Sequence, residues 1–196
     1  MKKILFNDRY GLTDAVIEGR KIMTRRMINL NSTSDVQVRI FAGYVQIIGG
    51  SGNVCAEKKL PYKVGEVVAV AQCYNDVVQE FTDLAFVPGS TNKMFVRADL
   101  MPHQIRITGI RCERLQDISD EDCVKEGVRV GSQALEYPYY FIDTKQFLIC
   151  DYKSPRRAFA ALIDKVSGRG TWDRNPWVVA YEFELVKCCS RSWHRP

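Results

Sequence analysis

The run W-V-V-A-Y-E-F-E-L-V, from Trp177 to Val186, constrains the fold of this chain most strongly. Its largest apolar residues recur at every second position, which is the period of a β-strand and not of a helix. Such a strand has one face to bury, and it needs hydrogen-bonded neighbours and a covering layer to be stable. The sequence therefore predicts a β-rich core organised around this strand.

Further runs have strand-like patterns, and turn signals separate them. Gly109 interrupts the alternation of one run, which indicates a β-bulge. The predicted strands are residues 3–7, two strands between Val36 and Ile48 that turn at Ala42-Gly43, Val67 to Ala71, Met94 to Val96, Ile105 to Leu115, and Trp177 to Val186. With about three helices among roughly six to eight strands, the pattern predicts a mostly antiparallel α+β domain, built as a small β-barrel that helices cover.

Helix signals lie in three places along the chain. The first predicted helix runs from Leu12 to Glu18, with Thr13 as its N-cap. The second is short and begins after Ser119. The third begins at Ser154-Pro155 and carries one apolar stripe, formed by Phe159, Leu162, Ile163 and Val166.

Four cations surround one hydroxyl in the stretch E-G-R-K-I-M-T-R-R, which starts at Glu18. Gly19 is placed to end the first helix in a left-handed conformation, and Arg20 and Lys21 then lie where the helix dipole favours cations. On that interpretation the cluster is a well-terminated helix with solvated charges. Lys21 and Thr24 are three residues apart, so they face the same way only if the chain turns after Gly19. A turn would make them a candidate functional pair.

A carboxylate at the end of the second helix needs an explanation. Asp120, Glu121 and Asp122 lie in the first turn, where the dipole favours them, and Gly127 is placed to end the helix. Glu126 lies at the C-terminal end, where a carboxylate opposes the dipole. Solvent can stabilise it there, and so can a basic site. Both interpretations stay open.

Composition narrows the functional classes. A net charge of +5 permits an anionic partner without requiring one. The seven cysteines have no C-x-x-C spacing, and neither a signal peptide nor a membrane-spanning run is found, so we expect free thiols and a cytoplasmic location.

The lack of a metal cluster, phosphate loop or dinucleotide-binding glycine pattern predicts no metal and no cofactor. His103 and His194 are far apart in sequence, which gives little support to a two-histidine nuclease. The oligomeric state stays open.

Three stretches together resemble the ASCH domain family, a relative of the PUA RNA-binding fold. G-R-K-I-M-T-R-R fits the family pattern G-x-K-x-x-(E/T)-x-R. I-R-C-E-R-L-Q-D-I-S-D-E-D-C-V-K-E-G and N-P-W-V-V-A-Y-E-F-E-L are similar to its long phage- and prophage-type members. The resemblance implies a β-barrel with a cleft beside the G-x-K motif. It implies one domain over residues 1–187, with insertions near 36–53 and 75–102, and then a basic tail at 188–196.

The resemblance also implies recognition of RNA or a modified nucleoside. Family members with Thr in place of Glu in the motif include amidohydrolases that remove the acetyl group from N(4)-acetylcytidine. The catalytic residues of these amidohydrolases correspond to Lys21, Thr24 and Glu126 in this sequence, with Glu121 as the alternative to Glu126. The neighbouring cations are predicted to hold nucleic-acid phosphates, and they are Arg20, Arg25 and Arg26.

Amide hydrolysis here needs a neutral Lys21 as the base that activates Thr24. A free lysine has a pKa of about 10.4, so a neutral amine at pH 7 needs a pKa roughly 3 lower. Burial and the nearby arginines lower this pKa, whereas Glu126 raises it, and both outcomes stay open. A charged Lys21 would instead serve a non-catalytic RNA-binding module, with Tyr10 or Trp177 stacking on a base. A ribonuclease-type activity of the same lysine and glutamate is a third possibility.

Overall fold

The computed structural model describes residues 1–29, 36–77, 87–131, 140–142 and 149–186. These residues form a five-stranded sheet and two three-stranded sheets, accompanied by short helices. The predicted α+β class is therefore confirmed. No helix in these ranges is long and apolar enough to cross a membrane.

The strands of the central sheet come from distant parts of the sequence. From one edge to the other they are β1 (Lys3–Ile4), β6 (Val67–Val70), β7 (Gln104–Arg114), β11 (Trp177–Val186) and β2 (Met23–Met27). β1 pairs with β6 in parallel, and the remaining pairs are antiparallel. The smaller sheets contain β3 (Gln37–Phe41), β4 (Tyr44–Ile48) and β5 (Val54–Lys59), and β8 (Arg129–Val130), β9 (Tyr140–Ile142) and β10 (Ile149–Tyr152).

Five α-helices lie in the described part of the chain. They are α1 (Leu12–Ile17), α2 (Tyr74–Val77), α3 (Asp120–Lys125), α4 (Pro155–Ser167) and α5 (Thr171–Arg174). The helices α1, α3 and α4 match the three predicted ones. The single turns α2 and α5 are too short to have a readable apolar period, and the sequence did not predict them.

The pairing of β7 with β11 forms the longest ladder of the fold. It runs from Trp177 opposite Arg114 to Val186 opposite Gln104. The register shifts between Glu182, which pairs with Gly109, and Phe183, which pairs with Ile107. The predicted bulge at Gly109 is confirmed, because one extra residue on β7 is left unpaired there.

Both faces of β11 are covered. Val179, Tyr181 and Phe183 belong to the main core cluster, as the alternation predicts. Val178 and Ala180 on the other face are also buried, and Val178 packs in a second cluster that includes residues of α3 and α4. Two hydrophobic layers therefore hold this strand in place.

The central sheet does not close on itself through strand pairing. Among the described residues, β1 and β2 are its two edges, and no pairing joins them. The predicted closed barrel is therefore not confirmed. The predicted insertion near 36–53 stays a prediction. Its residues lie mostly in β3 and β4, which pair around Ala42-Gly43 as expected.

The helix termini mostly agree with their predicted caps. The Ser119 and Ser154 side chains accept hydrogen bonds from the third residue of α3 and α4, which confirms both as N-caps. Gly19 has a φ of 73°, as predicted for the end of α1. Thr13 is not an N-cap, because Gly11 occupies that position and Thr13 lies inside the helix.

One predicted strand was incorrect, and five strands, β2, β5, β8, β9 and β10, were not predicted. Met94 to Val96 is not a strand, because Lys93–Phe95 forms a 3₁₀ turn that the Asn92 side chain caps. The strand β5 was missed because its side chains are largely exposed and so do not alternate in polarity. Most of the predicted loop at 29–35, part of the 75–102 region and the tail at 188–196 lie outside the described residues.

Candidate active site

A cavity of about 610 Å³ opens between the chain that leaves β1 and the edge strand β2. Five of the six predicted site residues line it, and they are Lys21, Thr24, Arg25, Arg26 and Glu126. Arg20 is not among the lining residues. Apolar side chains of α4, such as Phe159 and Leu162, cover another side of the cavity. A volume of this size is within the range of small-molecule sites.

The end of α1 directs Lys21 into the fold. The amide of Gly19 donates to the carbonyl of Val16 (3.0 Å), and the amides of Arg20 and Lys21 donate to the carbonyl of Ala15 (2.9 and 2.8 Å). This is a Schellman termination, which reverses the chain within a few residues. The turn that the Lys21–Thr24 pairing requires is therefore present before β2 starts at Met23.

Lys21 meets Glu126 in a buried ion pair. The Lys21 ammonium donates to Glu126 Oε2 at 2.6 Å and to the Glu126 backbone carbonyl at 2.7 Å. The side chains are 2% and 6% exposed. The Lys21 ammonium thus binds at the C-terminus of α3, where the helix dipole favours a cation. Its charge explains why a carboxylate, Glu126, is found at that end of the helix. The alternative residue, Glu121, is exposed and does not line the cavity.

The predicted phosphate contact of Arg25 is not what the geometry indicates. Its guanidinium donates to Glu113 Oε1 (2.7 Å), Asp122 Oδ2 (3.0 Å) and Glu126 Oε1 (3.1 Å). The side chain is 1% exposed. Because three carboxylates already accept from this group, Arg25 is positioned to hold Glu126 and not a solvent-borne phosphate.

The strand register brings a second arginine beside Arg25. Ala180 on β11 lies between Arg25 on β2 and Arg111 on β7, and its small side chain leaves room for both guanidinium groups. Arg111 donates to Glu113 (2.9 Å) and also to Asp122 and Glu182. Lys125 reaches Asp122 at 3.2 Å.

The ion-pair network beside the cavity is balanced in charge. Within the described ranges it joins four cations, Lys21, Arg25, Arg111 and Lys125, to four carboxylates, Glu113, Asp122, Glu126 and Glu182. Such a network restrains the orientation of every member. The sequence analysis missed Arg111, Glu113 and Glu182. Glu182 interrupts the apolar run of β11, which was a usable signal, whereas Arg111 and Glu113 lie on β7 among other polar residues and gave none.

The protonation of Lys21 depends on two opposing influences. Burial is the larger, and it lowers the pKa of Lys21 from its ordinary value of 10.5. The charge and hydrogen bond of Glu126 raise this pKa, whereas Arg26 and Arg25 lower it further. The net direction is downward, so burial outweighs the glutamate and makes the neutral amine more accessible than in a free lysine.

The remaining predicted residues differ in their environment. Thr24 is 5% exposed and lines the same cavity as Lys21. Arg26 is exposed, donates from Nη2 to the Leu5 carbonyl at 2.6 Å, and lies 5.7 Å from the centre of the Phe6 ring. Arg20 donates to Glu18 at 2.6 Å. Of the three arginines predicted to bind phosphate, Arg26 is the one that both lines the cavity and is exposed.

The predicted stacking residues are not available for a base. Tyr10 is 8% exposed and packs in the core. The Trp177 indole donates to the Val36 carbonyl at 3.2 Å, and Arg114 stacks over its ring at 4.7 Å. His103 contacts Gln72 Oε1 at 2.7 Å, and it does not line the cavity. His194 lies outside the described residues.

A second polar cluster lines the same cavity and was not predicted. Lys93 extends from the 3₁₀ turn at Lys93–Phe95 to Asp8, and their charged groups are 2.7 Å apart. Both residues line the cavity. The sequence around Lys93 has loop signals, and no nearby residue indicates which distant carboxylate Lys93 contacts. The cluster could therefore not be predicted.

Neither metal ligation nor relatedness to known proteins identifies the site. The part of the chain that the structure describes contains no group of three or more His, Cys, Asp and Glu side chains that could hold a metal ion. Comparisons with protein-family models, curated proteins and solved structures found no match to this chain. The side chains that line the cavity are therefore the basis for assigning a function.

Gly127→Ala is expected to destabilise the protein more than Gly19→Ala. Both glycines have positive φ, at 105° and 73°, but a Cβ at Gly127 would lie 3.3 Å from Leu12 and 3.7 Å from Lys21, whereas none would be near Gly19. We expect losses in the free energy of unfolding of about 1 kcal/mol at Gly19 and about 2–3 kcal/mol at Gly127. Urea denaturation of both variants measures this, and equal losses would contradict the close packing of Leu12 on Gly127.

Proposed function

We propose that this chain is an ASCH/PUA-like protein whose cavity binds a modified nucleoside, free or within RNA, and hydrolyses an acyl amide such as that of N(4)-acetylcytidine. The observation that carries the proposal is the buried Lys21–Glu126 pair in the same cavity as Thr24. Burial lowers the pKa of Lys21, and a hydroxyl lines the same cavity, so the site contains both a base and a nucleophile of the kind that an activated hydroxyl needs.

The three residues divide the reaction between them. Neutral Lys21 takes the hydroxyl proton of Thr24 as Oγ1 attacks the acyl carbonyl carbon. The bond between the acyl carbon and N4 of the cytosine then breaks, and Lys21 returns the proton to the departing N4 amine. Water, activated in the same way, hydrolyses the acyl-threonine and releases the carboxylic acid. Glu126 stabilises the ammonium that forms in each step, and Arg25 holds Glu126 in position.

A barrel of the ASCH/PUA kind fits the way the two edges of the central sheet approach each other. Arg26 on β2 donates to the carbonyl of Leu5, the residue that follows β1. Residues 5–9 and 24–27 line opposite parts of one cavity. On this proposal the cavity is the open seam between the two edge strands of an incompletely hydrogen-bonded barrel.

Binding of RNA without turnover is the second candidate. It is favoured by the two hydrogen bonds that hold the Lys21 ammonium to Glu126, since these stabilise the charged form. The exposed Arg26 at the cavity would then contact phosphate. Affinity for RNA that falls steeply with salt, together with no turnover, would favour this candidate.

The direct test is incubation of the pure protein with N(4)-acetylcytidine and other acylated nucleosides, followed by chromatography. We expect the wild type to release cytidine and the free acid. Glu121→Ala is the matched control, because Glu121 is exposed and lies outside the cavity, and it should leave turnover unchanged. A folded wild type that releases nothing from any acylated nucleoside would rule out the hydrolase.

A further inference from the structure

Two neighbours, Lys93 and Thr13, hold the Asp8 carboxylate in a fixed orientation. The Lys93 ammonium donates to Asp8 Oδ1 at 2.7 Å and to Thr13 Oγ1 at 3.2 Å, and it also donates to the Phe6 carbonyl. The Thr13 hydroxyl in turn donates to Asp8 Oδ1. Lys93 is 13% exposed and Thr13 is 5% exposed, so this arrangement is largely shielded from water. Both bonds therefore stabilise the ionised carboxylate in one orientation.

The second oxygen of Asp8 has a different environment. Every hydrogen bond found to this carboxylate within the described ranges goes to Oδ1, and none goes to Oδ2. The side chain is 35% exposed and lines the cavity. An ionised carboxylate only accepts hydrogen bonds, so its open oxygen selects a ligand group that donates one.

This acceptor lies in the same cavity as the proposed reaction centre. Phe6 connects the two regions, because its carbonyl accepts from Lys93 while its ring lies 5.9 Å from the Lys21 ammonium. A nucleoside whose acyl amide lies at Lys21 and Thr24 uses its amide group there. The other hydrogen-bond donors that a cytidine carries are its ribose hydroxyls.

We propose that Asp8 binds the ribose hydroxyls of the ligand and makes the cavity selective for ribonucleosides over deoxyribonucleosides. This inference rests on the proposed function. A carboxylate can accept from vicinal hydroxyls, which is how acidic residues bind ribose in dinucleotide sites. Lys93 and Thr13 are positioning residues, because both donate to Asp8 Oδ1 and so orient the carboxylate. The 75–102 region then contributes to recognition through Lys93.

The test compares kcat/KM for N(4)-acetylcytidine with that for its 2′-deoxy and 3′-deoxy analogues. The wild type should prefer the ribonucleoside by roughly tenfold to a hundredfold, since a hydrogen bond to a charged group is lost in an analogue. Asp8→Asn keeps the shape of the side chain and an oxygen for Thr13 and Lys93, but it replaces the open acceptor with a donor. We expect it to reduce the preference to about threefold or less, because the ribose hydroxyl then meets a neutral amide instead of a charged acceptor, with little change for the deoxy analogues. Asp14→Asn, at an exposed position on α1, is the matched control and should keep the preference.

The outcomes separate this inference from the function on which it rests. Equal kcat/KM for ribose and both deoxy substrates in the wild type overturns the inference while leaving the hydrolase intact, and it requires no variant to fold. A preference in Asp8→Asn as large as that of the wild type also overturns it. If the protein binds without turnover, dissociation constants for cytidine and deoxycytidine replace kcat/KM, with the same expectations. A wild type that neither binds nor cleaves any of these nucleosides overturns the proposed function and this inference together.

Discussion

Replacing Lys21 with arginine is expected to reduce hydrolysis of N(4)-acetylcytidine by about 10³-fold or more. Loss of a general base commonly costs 10²- to 10⁴-fold, roughly, and arginine cannot act as one because it does not lose its proton in proteins. Arginine does retain the positive charge and can still pair with Glu126. The variant therefore separates a base from an anion-binding group, and steady-state rates from chromatography measure the difference.

Thr24, on β2, offers the matching comparison. Thr24→Ser keeps the hydroxyl and should retain turnover within about tenfold, whereas Thr24→Val keeps the shape and should lose turnover as fully as Lys21→Arg. The two losses should not add in the double variant, because the residues act in one step. If Lys21→Arg keeps full activity, or Thr24→Val does, the assignment of base and nucleophile is wrong.

Glu126→Ala is expected to lower the free energy of unfolding by about 3–5 kcal/mol at neutral pH. The substitution removes a carboxylate that lies between the Lys21 and Arg25 cations, and these side chains are 2% and 1% exposed. Breaking a buried pair by removing one partner leaves an uncompensated charge, which is the costly case. Urea denaturation monitored by circular dichroism measures the loss.

The pH dependence of this loss identifies its cause. Without Glu126 the influence that raises the pKa of Lys21 is gone, so burial lowers the pKa further. Between this lowered pKa of Lys21 and 10.5 the folded state binds fewer protons than the unfolded state, and stability rises with pH across that window. The loss should be smaller at pH 9 than at pH 6.

Glu121→Ala is the control for Glu126→Ala, because it removes a carboxylate from the exposed first turn of the same helix. Its effect should stay within about 0.5 kcal/mol. The double variant Lys21→Met/Glu126→Leu should recover much of the stability that Glu126→Ala loses, since an apolar pair of similar volume can replace a buried ion pair. Equal losses for Glu121→Ala and Glu126→Ala would contradict the buried pair.

Local features explain the parts of the fold that the sequence predicted well. The alternation from Trp177 to Val186 identified β11, and Ser119 and Ser154 identified the starts of α3 and α4. Gly19 marked the turn that precedes Lys21. Each of these signals depends on neighbouring residues alone, so the sequence displays it directly. The position of Glu126, at a helix end where a carboxylate opposes the dipole, also indicated that a basic site could lie nearby. The ion pair with Lys21 supplies that basic group.

Long-range contacts explain what the sequence could not predict. Arg25 was assigned to phosphate because its charge was visible, whereas its partner Glu113 lies 88 residues away and meets it only through the strand register. Lys93 meets Asp8 across 85 residues, from a segment that resembled a loop excursion. β5 escaped prediction because exposure on both faces removes the alternation on which strand prediction depends.

Lys21 can act as the base only if burial outweighs its attraction to Glu126, and the titration of its amine tests this most directly. Lysine labelled with ¹⁵N reports the Nζ shift of each side chain by NMR, and the Lys21→Arg spectrum assigns the Lys21 signal. We predict that Lys21 titrates below the ordinary lysine value of 10.5. A titration at or above 10.5 would contradict the role of Lys21 as a base and would favour a permanently charged, RNA-binding cavity.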